Sequence, residues 1–226
     1  MFSSLRWLAL EVKYLGPAVS FYREHLALPV RREGENEVAL GAGETDLILR
    51  APSTVPRGGL HTHYAFSTPA AEYDDWWNTL GETFELEEVQ FGAAKSLYFY
   101  DGEGNCVEIG QSDDEGAGIT GIFEIVLEVE DLERAVSFYT DLGLQVRDRG
   151  DQRRRVRLDA GPFDIELWEP QLGLADARGG VHVDIGVTAS NPAEKVAQVA
   201  DQALAVRERD GEFVVKDPDG HYLTIG

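Results

Sequence analysis

Apolar and polar residues alternate in short runs along the chain, and a different periodicity follows each run. Residues 122–129, IFEIVLEV, alternate with the period of a strand that buries one face. Residues 131–142, DLERAVSFYTDL, place apolar side chains three and four positions apart, as in an amphipathic helix. Asp131 is the expected N-cap and Gly143 the expected end of this helix. The pattern predicts a strand followed by a helix.

Three further segments show the same succession. Helices are predicted over residues 17–27, over 70–80 and from Asn191 onward. For the last of these, Asn191 is the expected N-cap, Pro192 the first helical residue and Glu194 part of a capping-box spacing. Alternating apolar runs follow each helix. The chain is therefore predicted to contain four modules, each with a strand, a helix and further strands.

Two stretches of the chain repeat each other. AVSFY occurs at residues 18–22 and, letter for letter, at 135–139, and the segments after each copy also match. A repeat on this scale indicates duplication of a unit of about half the chain. The polar, glycine-rich QSDDEGAG lies where the copies meet. We predict two related domains, residues 1–112 and 119–226.

These features together resemble a known superfamily. The alternating first strand, the helix ending in FY, the LGL turn at 142–144 and the final strand after DPDG at 217–220 resemble the vicinal oxygen chelate superfamily. It includes glyoxalase I, extradiol dioxygenases, and fosfomycin- and bleomycin-resistance proteins. The resemblance implies an α+β fold in which four βαβββ modules form two glyoxalase-like half-open barrels. It is less specific for function, because this fold hosts both metal-dependent enzymes and metal-free binding proteins.

The parity of the strands predicts which side chains face the concave side of each barrel. In the segment LHTHYAF, Tyr64 and Phe66 belong to the set that covers the helices, and His61 and His63 to the opposite set. The same argument applied to the other strands places the glutamates with the histidines. By resemblance, this second set lines a cup that can hold one metal ion.

The resemblance implies a metal site in the second half of the chain. Glu124, Glu166 and His182 stand at ligand positions there, and Thr224 stands where a fourth ligand is common. A histidine and two carboxylates suit a divalent ion such as Mn, Fe, Ni or Zn, which acts as a Lewis acid on neighbouring substrate oxygens. Glu124 or Glu166 is the expected catalytic base.

The first half has fewer ligands at the corresponding positions. Glu108 and one of His61 and His63 can bind metal, but Trp7 and Ile48 occupy the other two positions. We therefore predict a weaker second site there. Four residues are predicted to bind the substrate: Trp7, Trp168, Arg157 and Thr224.

A metal-free function is the alternative. His182 and Glu166 can form a hydrogen-bonded polar pair in a solvated cup, while Trp7, Tyr98 and Trp168 stack a ligand, as in a bleomycin-resistance-type binding protein. Arg157 belongs to a short basic stretch, residues 153–157, that either receives an anionic substrate or forms a solvated edge strand. The sequence leaves both pairs of alternatives open.

Composition excludes several other classes of function. The formal net charge is −21, which disfavours nucleic acids and anionic membranes as partners. Only four of the 20 basic residues are Lys, so the acidic surface either reflects adaptation to high salt or is simply that of a soluble protein. No glycine-rich phosphate loop is present, and we expect no nucleotide cofactor. The N-terminus lacks a signal-peptide pattern, which favours a cytoplasmic location. The sequence is also compatible with a homodimer.

Overall fold

A computed structural model describes residues 1–52, 62–150, 154–169 and 183–226 of the protein. Four modules of the predicted type follow one another. The first contains β1 (Ser4–Glu11), α1 (Leu15–His25), β2 (Val30–Glu33), β3 (Glu37–Ala42) and β4 (Thr45–Arg50). The second contains β5 (His63–Pro69), a 3-10 turn (Ala70–Glu72), α2 (Tyr73–Gly81), β6 (Glu87–Phe91), β7 (Ala94–Tyr100) and β8 (Cys106–Ser112).

The remaining two modules have the same order of elements. The third contains β9 (Gly121–Glu128), α3 (Leu132–Asp141), β10 (Gln145–Arg149), β11 (Arg155–Asp159) and β12 (Asp164–Trp168). The fourth contains β13 (Asp184–Thr188), α4 (Pro192–Val199), β14 (Ala205–Arg209), β15 (Glu212–Lys216) and β16 (Tyr222–Ile225). None of these helices is long and apolar enough to cross a membrane, a finding limited to the described residues.

The strands form two eight-stranded sheets, each curled into a half-open barrel. One sheet has the order β10-β11-β12-β9-β5-β8-β7-β6 and joins modules 2 and 3. The other has the order β14-β15-β16-β13-β1-β4-β3-β2 and joins modules 1 and 4. We call the first sheet the histidine cup, after His63, and the second the tryptophan cup, after Trp7. The predicted α+β fold with two half-open barrels is confirmed.

The pairing of modules differs from the sequence-based expectation that each half of the chain forms its own cup. At the centre of each sheet, two first strands pair antiparallel: β5 with β9, and β1 with β13. Each cup therefore combines one module from residues 1–112 with one from 119–226. A sequence repeat identifies related units but does not determine which strand edges hydrogen-bond. The ranges themselves stay a prediction about the repeat.

The repeated AVSFY motif holds the two cups together. The Tyr22 hydroxyl, on α1 of the tryptophan cup, donates to Asp101 Oδ2 of the histidine cup at 2.5 Å. In the reverse sense, Tyr139 on α3 of the histidine cup donates to Asp217 Oδ2 of the tryptophan cup at 2.7 Å. All four side chains are buried. We call these hydrogen bonds the two tyrosine clasps, and each joins the two modules of one half of the chain.

The helix ends agree with the sequence in one case and differ in another. The Asp131 side chain accepts from the Arg134 amide, as an N-cap does, and Gly143 follows α3 with a φ of 105°. Pro192 begins α4 as predicted. Asn191, however, adopts a left-handed conformation (φ 56°) and makes no capping side-chain hydrogen bond, so its predicted role was wrong. Its backbone carbonyl accepts from Glu194 instead.

Candidate metal centre

The centre of the histidine cup brings together polar side chains from both of its modules. In the strand register, Ala65 on β5 lies beside Glu108 on β8 and beside Glu124 on β9. His63, two residues earlier on β5, points to the same concave face. The neighbouring core positions Tyr64 and Phe66 are fully buried on the opposite face, as the parity predicts.

Three of these side chains converge on one point. His63 Nε2 lies 3.1 Å from Glu108 Oε2 and 3.7 Å from Glu124 Oε1. One ligand atom from each residue lies within 4.8 Å of the other two. Each residue is only 4% exposed, and three ionisable groups this deeply buried require mutual compensation or a bound cation. The donor set of one imidazole and two carboxylates fits a divalent metal ion.

The backbone fixes the orientation of the histidine ring. His63 Nδ1 lies 3.1 Å from the carbonyl oxygen of Cys106, and because a carbonyl only accepts, Nδ1 carries the hydrogen. Nε2 then faces the two carboxylates with its lone pair when the ring is neutral. A second hydrogen bond of this kind is how proteins orient histidine ligands of metals.

Without a metal, a proton takes the place of the cation. Burial lowers the pKa of His63, but interactions with Cys106 and Glu108 outweigh this effect and raise the pKa to about 10. The protonated ring donates from Nε2 to Glu108. The cluster is therefore compensated by a protonated His63 in the metal-free state, whereas metal binding requires the neutral ring.

Glu166 lies in the same cup but is held by other partners. Its Oε1 accepts from Arg155 at 2.9 Å and its Oε2 from the Trp168 indole N–H at 2.7 Å. The carboxylate is buried, and both of its oxygens bind partners outside the group of three. In the strand register, Glu166 and Glu108 occupy matching places, two residues beyond the partners of Glu124 and His63.

Two aromatic rings flank the histidine. The rings of Tyr98 and Trp168 stack against His63 with centroid distances of 5.7 Å and 5.9 Å. Burial, the charge of Glu108 and a hydrogen bond to it all raise the pKa of Tyr98, so this hydroxyl stays protonated and donates. The stack forms apolar walls around a polar floor, an arrangement typical of small-molecule sites.

The structure brings residues of the two predicted sites together in one cup. Glu124 and Glu166 do lie in one cup, but their described companions are His63 and Glu108, which the sequence assigned to a separate, weaker site. The described grouping differs from the predicted one because modules 2 and 3, not the two modules of one half, form this cup. The predicted histidines His182 and His61 lie outside the described residues.

The predicted substrate-binding residues divide between the cups. Trp168 and Arg157 lie in the histidine cup beside the carboxylates. Trp7 and Thr224 lie in the tryptophan cup. The basic stretch ends in β11, which lies between β10 and β12 and is not an edge strand.

The basic partners of the carboxylates were not predicted from the sequence. Arg155 and Asp164 both bind charged groups in the histidine cup. Arg155, Arg157 and Glu166 share one parity on paired strands, with Arg157 directly opposite Glu166. Their alternation in RRRVRLD was the available signal.

The tryptophan cup has different side chains at the matching positions. Trp7 pairs with Asp46 as Glu124 pairs with Asp164, and Ile48 stands where the other cup has Glu166. The Trp7 indole lies against Gly186, where an added Cβ would approach within 2.3 Å. Ile48 forms a small apolar cluster with Ala9 and Ala39, against which Trp7 packs.

The remaining matching positions of the tryptophan cup are also unsuited to a metal. Asp184 stands where the other cup has His63, and Thr224 where it has Glu108. Arg50 forms an ion pair with Asp184. Within the described ranges, the only group of three metal-competent side chains is His63, Glu108 and Glu124.

Comparisons with known proteins agree with this architecture. Residues 121–225 match the family model described as Glyoxalase/Bleomycin resistance protein/Dioxygenase superfamily. Metallothiol transferase FosB from Staphylococcus haemolyticus is 26% identical over 116 residues, which cover 48% of this chain and 84% of the relative. The FosB of Staphylococcus epidermidis is 26% identical over the same length and coverage.

Two solved structures share the fold over nearly the whole chain. A putative dioxygenase from Bacillus subtilis has a TM-score of 0.74 and 16% identity, covering 99% of this chain and 84% of its own. A mutant glyoxalase I from Zea mays has a TM-score of 0.71 and 18% identity, covering 98% and 92%. At these identities the likeness shows the fold alone. The family match over residues 121–225 makes the second half of the chain similar to the superfamily of glyoxalases, bleomycin resistance proteins and dioxygenases, and the two half-open barrels share the fold of these structures.

Proposed function

We propose that the protein performs metal-dependent chemistry on a small molecule with two neighbouring oxygen atoms, with the ion held by His63, Glu108 and Glu124. The convergence of these three buried side chains is the observation that carries the proposal. The similarity to proteins named metallothiol transferase FosB and glyoxalase I supports the same class of chemistry. A bound Mn, Fe, Ni or Zn ion would supply a Lewis acid for the substrate oxygens.

The surrounding residues have separate roles in this proposal. Glu166 is the proposed base, because its carboxylate lies in the same cup as the ligands and is oriented by Arg155 and Trp168. Glu124, the other predicted catalytic carboxylate, is proposed as a ligand instead, and its approach to His63 supports this role. The rings of Tyr98 and Trp168 would exclude water and position the substrate.

A pair of matched substitutions tests the metal site. Glu108→Gln removes the charge of one proposed ligand, while Thr224→Ala changes the matching position of the tryptophan cup. We expect Glu108→Gln to weaken Mn²⁺ binding by at least about 100-fold, since losing even an indirect partner of a ligand costs ~10–100-fold. Thr224→Ala should bind as the wild type does.

Isothermal titration with Mn²⁺, and elemental analysis of protein purified without chelator, measure these effects. The proposal is contradicted if the wild type holds under a tenth of an equivalent of any transition metal and gains none on titration, taking about one equivalent as the expectation for a single site. Equal binding by wild type and Glu108→Gln would also contradict it.

The stacked rings favour a second candidate, a metal-free binding protein of the bleomycin-resistance type. Tyr98, His63 and Trp168 form a continuous aromatic platform on which a planar ligand can lie. In this case, chelator-treated protein should still bind a compound from an aromatic panel, as measured by thermal shift, and Trp168→Ala should abolish that shift. Loss of all binding on metal removal would exclude this candidate.

Other expectations from the sequence stay predictions within this proposal. They are the cytoplasmic location, the homodimer, the high-salt surface, and substrate contacts from Arg157 and from Trp7 and Thr224 of the tryptophan cup.

A further inference from the structure

Arg157 occupies a central place among the carboxylates of the histidine cup. Its guanidinium forms an ion pair with Glu124, and its Nε lies 3.1 Å from Asp164 Oδ2 and 3.6 Å from Glu166 Oε1. These three carboxylates are almost completely buried, whereas the arginine side chain is 30% exposed. One cation thus compensates several buried anions.

Glu124 is shared between Arg157 and the candidate metal centre. Its Oε2 faces the guanidinium, and its Oε1 faces His63 Nε2 at 3.7 Å. A divalent ion held by His63, Glu108 and Glu124 would therefore bind a carboxylate that already carries a cation on its other oxygen. The guanidinium and the ion, bound to the two oxygens of one carboxylate, would repel each other, and a buried cup screens this repulsion less than water does.

The tryptophan cup shows where such an arginine is dispensable. Ala39 takes the place of Arg157, since Ala39 lies opposite Ile48 as Arg157 lies opposite Glu166. The positions of Glu124 and Glu166 are taken there by Trp7 and Ile48. At the position that matches Arg157, the arginine is absent from the cup in which both carboxylates are absent, and Arg50, an arginine that this cup does contain, pairs with Asp184.

We propose that Arg157 is an internal counter-cation that competes electrostatically with the metal ion for Glu124 and thereby limits the divalent-metal affinity of the histidine cup. In the metal-free protein, the guanidinium stabilises the buried carboxylates. In the metal-bound protein it repels the ion. This inference rests on the metal site of the proposed function, and it assigns Arg157 a role through Glu124 that differs from contact with substrate.

The direction in which metal affinity changes when Arg157 is removed distinguishes competition from simple positioning of Glu124. If Arg157 only orients Glu124 as a ligand, its removal disorders the carboxylate and weakens metal binding. If Arg157 competes with the ion, its removal frees both Glu124 oxygens and strengthens metal binding. We expect Arg157→Gln to bind Mn²⁺ about tenfold more tightly or better, because it removes a charge adjacent to the ion.

The experiment compares Arg157→Gln with two other variants by Mn²⁺ titration calorimetry. Arg157→Lys keeps the charge and should stay within about threefold of wild-type affinity, because the repulsion persists. Arg147→Gln removes a neighbouring cation that contacts Asp159 and Asp164 but none of the three proposed ligands, and it should also stay close to wild type.

Thermal unfolding supplies a readout independent of activity. Without metal, Arg157→Gln should melt at a lower temperature than Arg147→Gln, because it leaves buried Glu124 without its cation. The same excess of Mn²⁺ should raise the melting temperature of Arg157→Gln more than that of wild type, since at one concentration the more tightly bound ligand stabilises the folded state more.

Each outcome decides the matter. Weaker or unchanged Mn²⁺ binding in Arg157→Gln overturns the inference while leaving the metal site intact, and so does an Arg157→Lys variant that binds as tightly as Arg157→Gln. Absence of Mn²⁺ binding in both wild type and Arg157→Gln overturns the inference together with the proposed function. Binding by Arg157→Gln alone supports the inference. If Arg157→Gln does not fold, the double variant Arg157→Gln with Asp164→Asn removes one of the buried carboxylates that contact Arg157, and it is expected to show the same gain.

Discussion

The two cups of this protein share one topology but differ in the chemistry of matching positions. In the histidine cup the concave floor carries ionisable side chains, and in the tryptophan cup it is largely apolar. The sheet needs neither set to form, because both cups have the same strand order. Function in this fold therefore depends on side chains placed on a common frame. The matching pairs are His63 with Asp184, Glu108 with Thr224, Glu124 with Trp7, Glu166 with Ile48, and Arg157 with Ala39.

The comparison also shows that the charged set behaves as a unit. Glu124 and Glu166 have arginine partners within the cup, and their apolar counterparts Trp7 and Ile48 pack on Ala39. A carboxylate moved alone into the tryptophan cup would lack these partners. Substitutions that leave a buried charge without its partner in either cup should therefore lower the free energy of unfolding, and more so the more charge is left uncompensated.

The largest effect is expected when a carboxylate enters the apolar cup. Ile48→Glu places a charge at a position that is 4% exposed and surrounded by Ala9, Ala39 and Trp7. We expect a loss of about 3–5 kcal/mol in the free energy of unfolding, the usual cost of an uncompensated buried charge. Urea denaturation measures the change.

Two companion variants control this prediction. Ile48→Val keeps the site apolar and should cost only about 1 kcal/mol. Ala39→Arg added to Ile48→Glu recreates the Arg157–Glu166 pair of the other cup and should recover part of the loss. An Ile48→Glu protein as stable as Ile48→Val would show that the apolar floor tolerates charge without compensation.

The tyrosine clasps should give an intermediate and unequal effect. Tyr139→Phe removes the described side-chain donor to Asp217 Oδ2 and should cost about 1.5–3 kcal/mol, as for hydrogen bonds to charged groups. Tyr22→Phe should cost more, because it removes a donor to Asp101 and also the hydrogen-bond partner of the buried Tyr64 hydroxyl, although Asn105 still donates to Asp101 Oδ2 at 2.7 Å. Urea denaturation of both variants gives the order, and a larger loss for Tyr139→Phe would contradict this account.

The smallest effect is expected at an exposed ion pair on the tryptophan cup. Arg31 Nη1 lies 2.7 Å from Asp46 Oδ1, with both side chains more than a quarter exposed. Arg31→Gln should change the free energy of unfolding by about 0.5 kcal/mol or less, because solvent screens such pairs. It should leave Mn²⁺ binding unchanged. A loss above about 1 kcal/mol in the free energy of unfolding would contradict this prediction, because it would mean that this ion pair stabilises the protein as a buried pair does.

Periodicity was sufficient to predict the modules and the faces of their strands. The side chains of Tyr64 and Phe66 entered the core, and His63 and the glutamates reached the concave face, because period-two alternation determines the face regardless of strand order. The helices were also predicted to within a few residues. Local hydrogen-bonding rules explain the end of α3, whereas the left-handed Asn191 depended on its surroundings.

The composition of the site could not be predicted in the same way. Parity is identical in all four modules, so it cannot determine which modules share a cup. That choice depends on pairing between distant first strands, such as Trp7 with Gly186 and Ala65 with Glu124. The orientation of Glu166 toward Arg155 and Trp168 is a rotamer choice made by tertiary contacts. These interactions act over distances along the chain that no local pattern records.

The pairing of inner with inner and outer with outer modules has a consequence for how the chain is made. All strands of the histidine cup lie between His63 and Trp168. Synthesis from the N-terminus completes this segment before the first strand of module 4 exists. The tryptophan cup must instead keep β1–β4 unpaired with β13 until the intervening sheet has been made. The first module synthesised thus belongs to the last cup that can close, and its exposed strand edge has to be protected from other chains in the meantime.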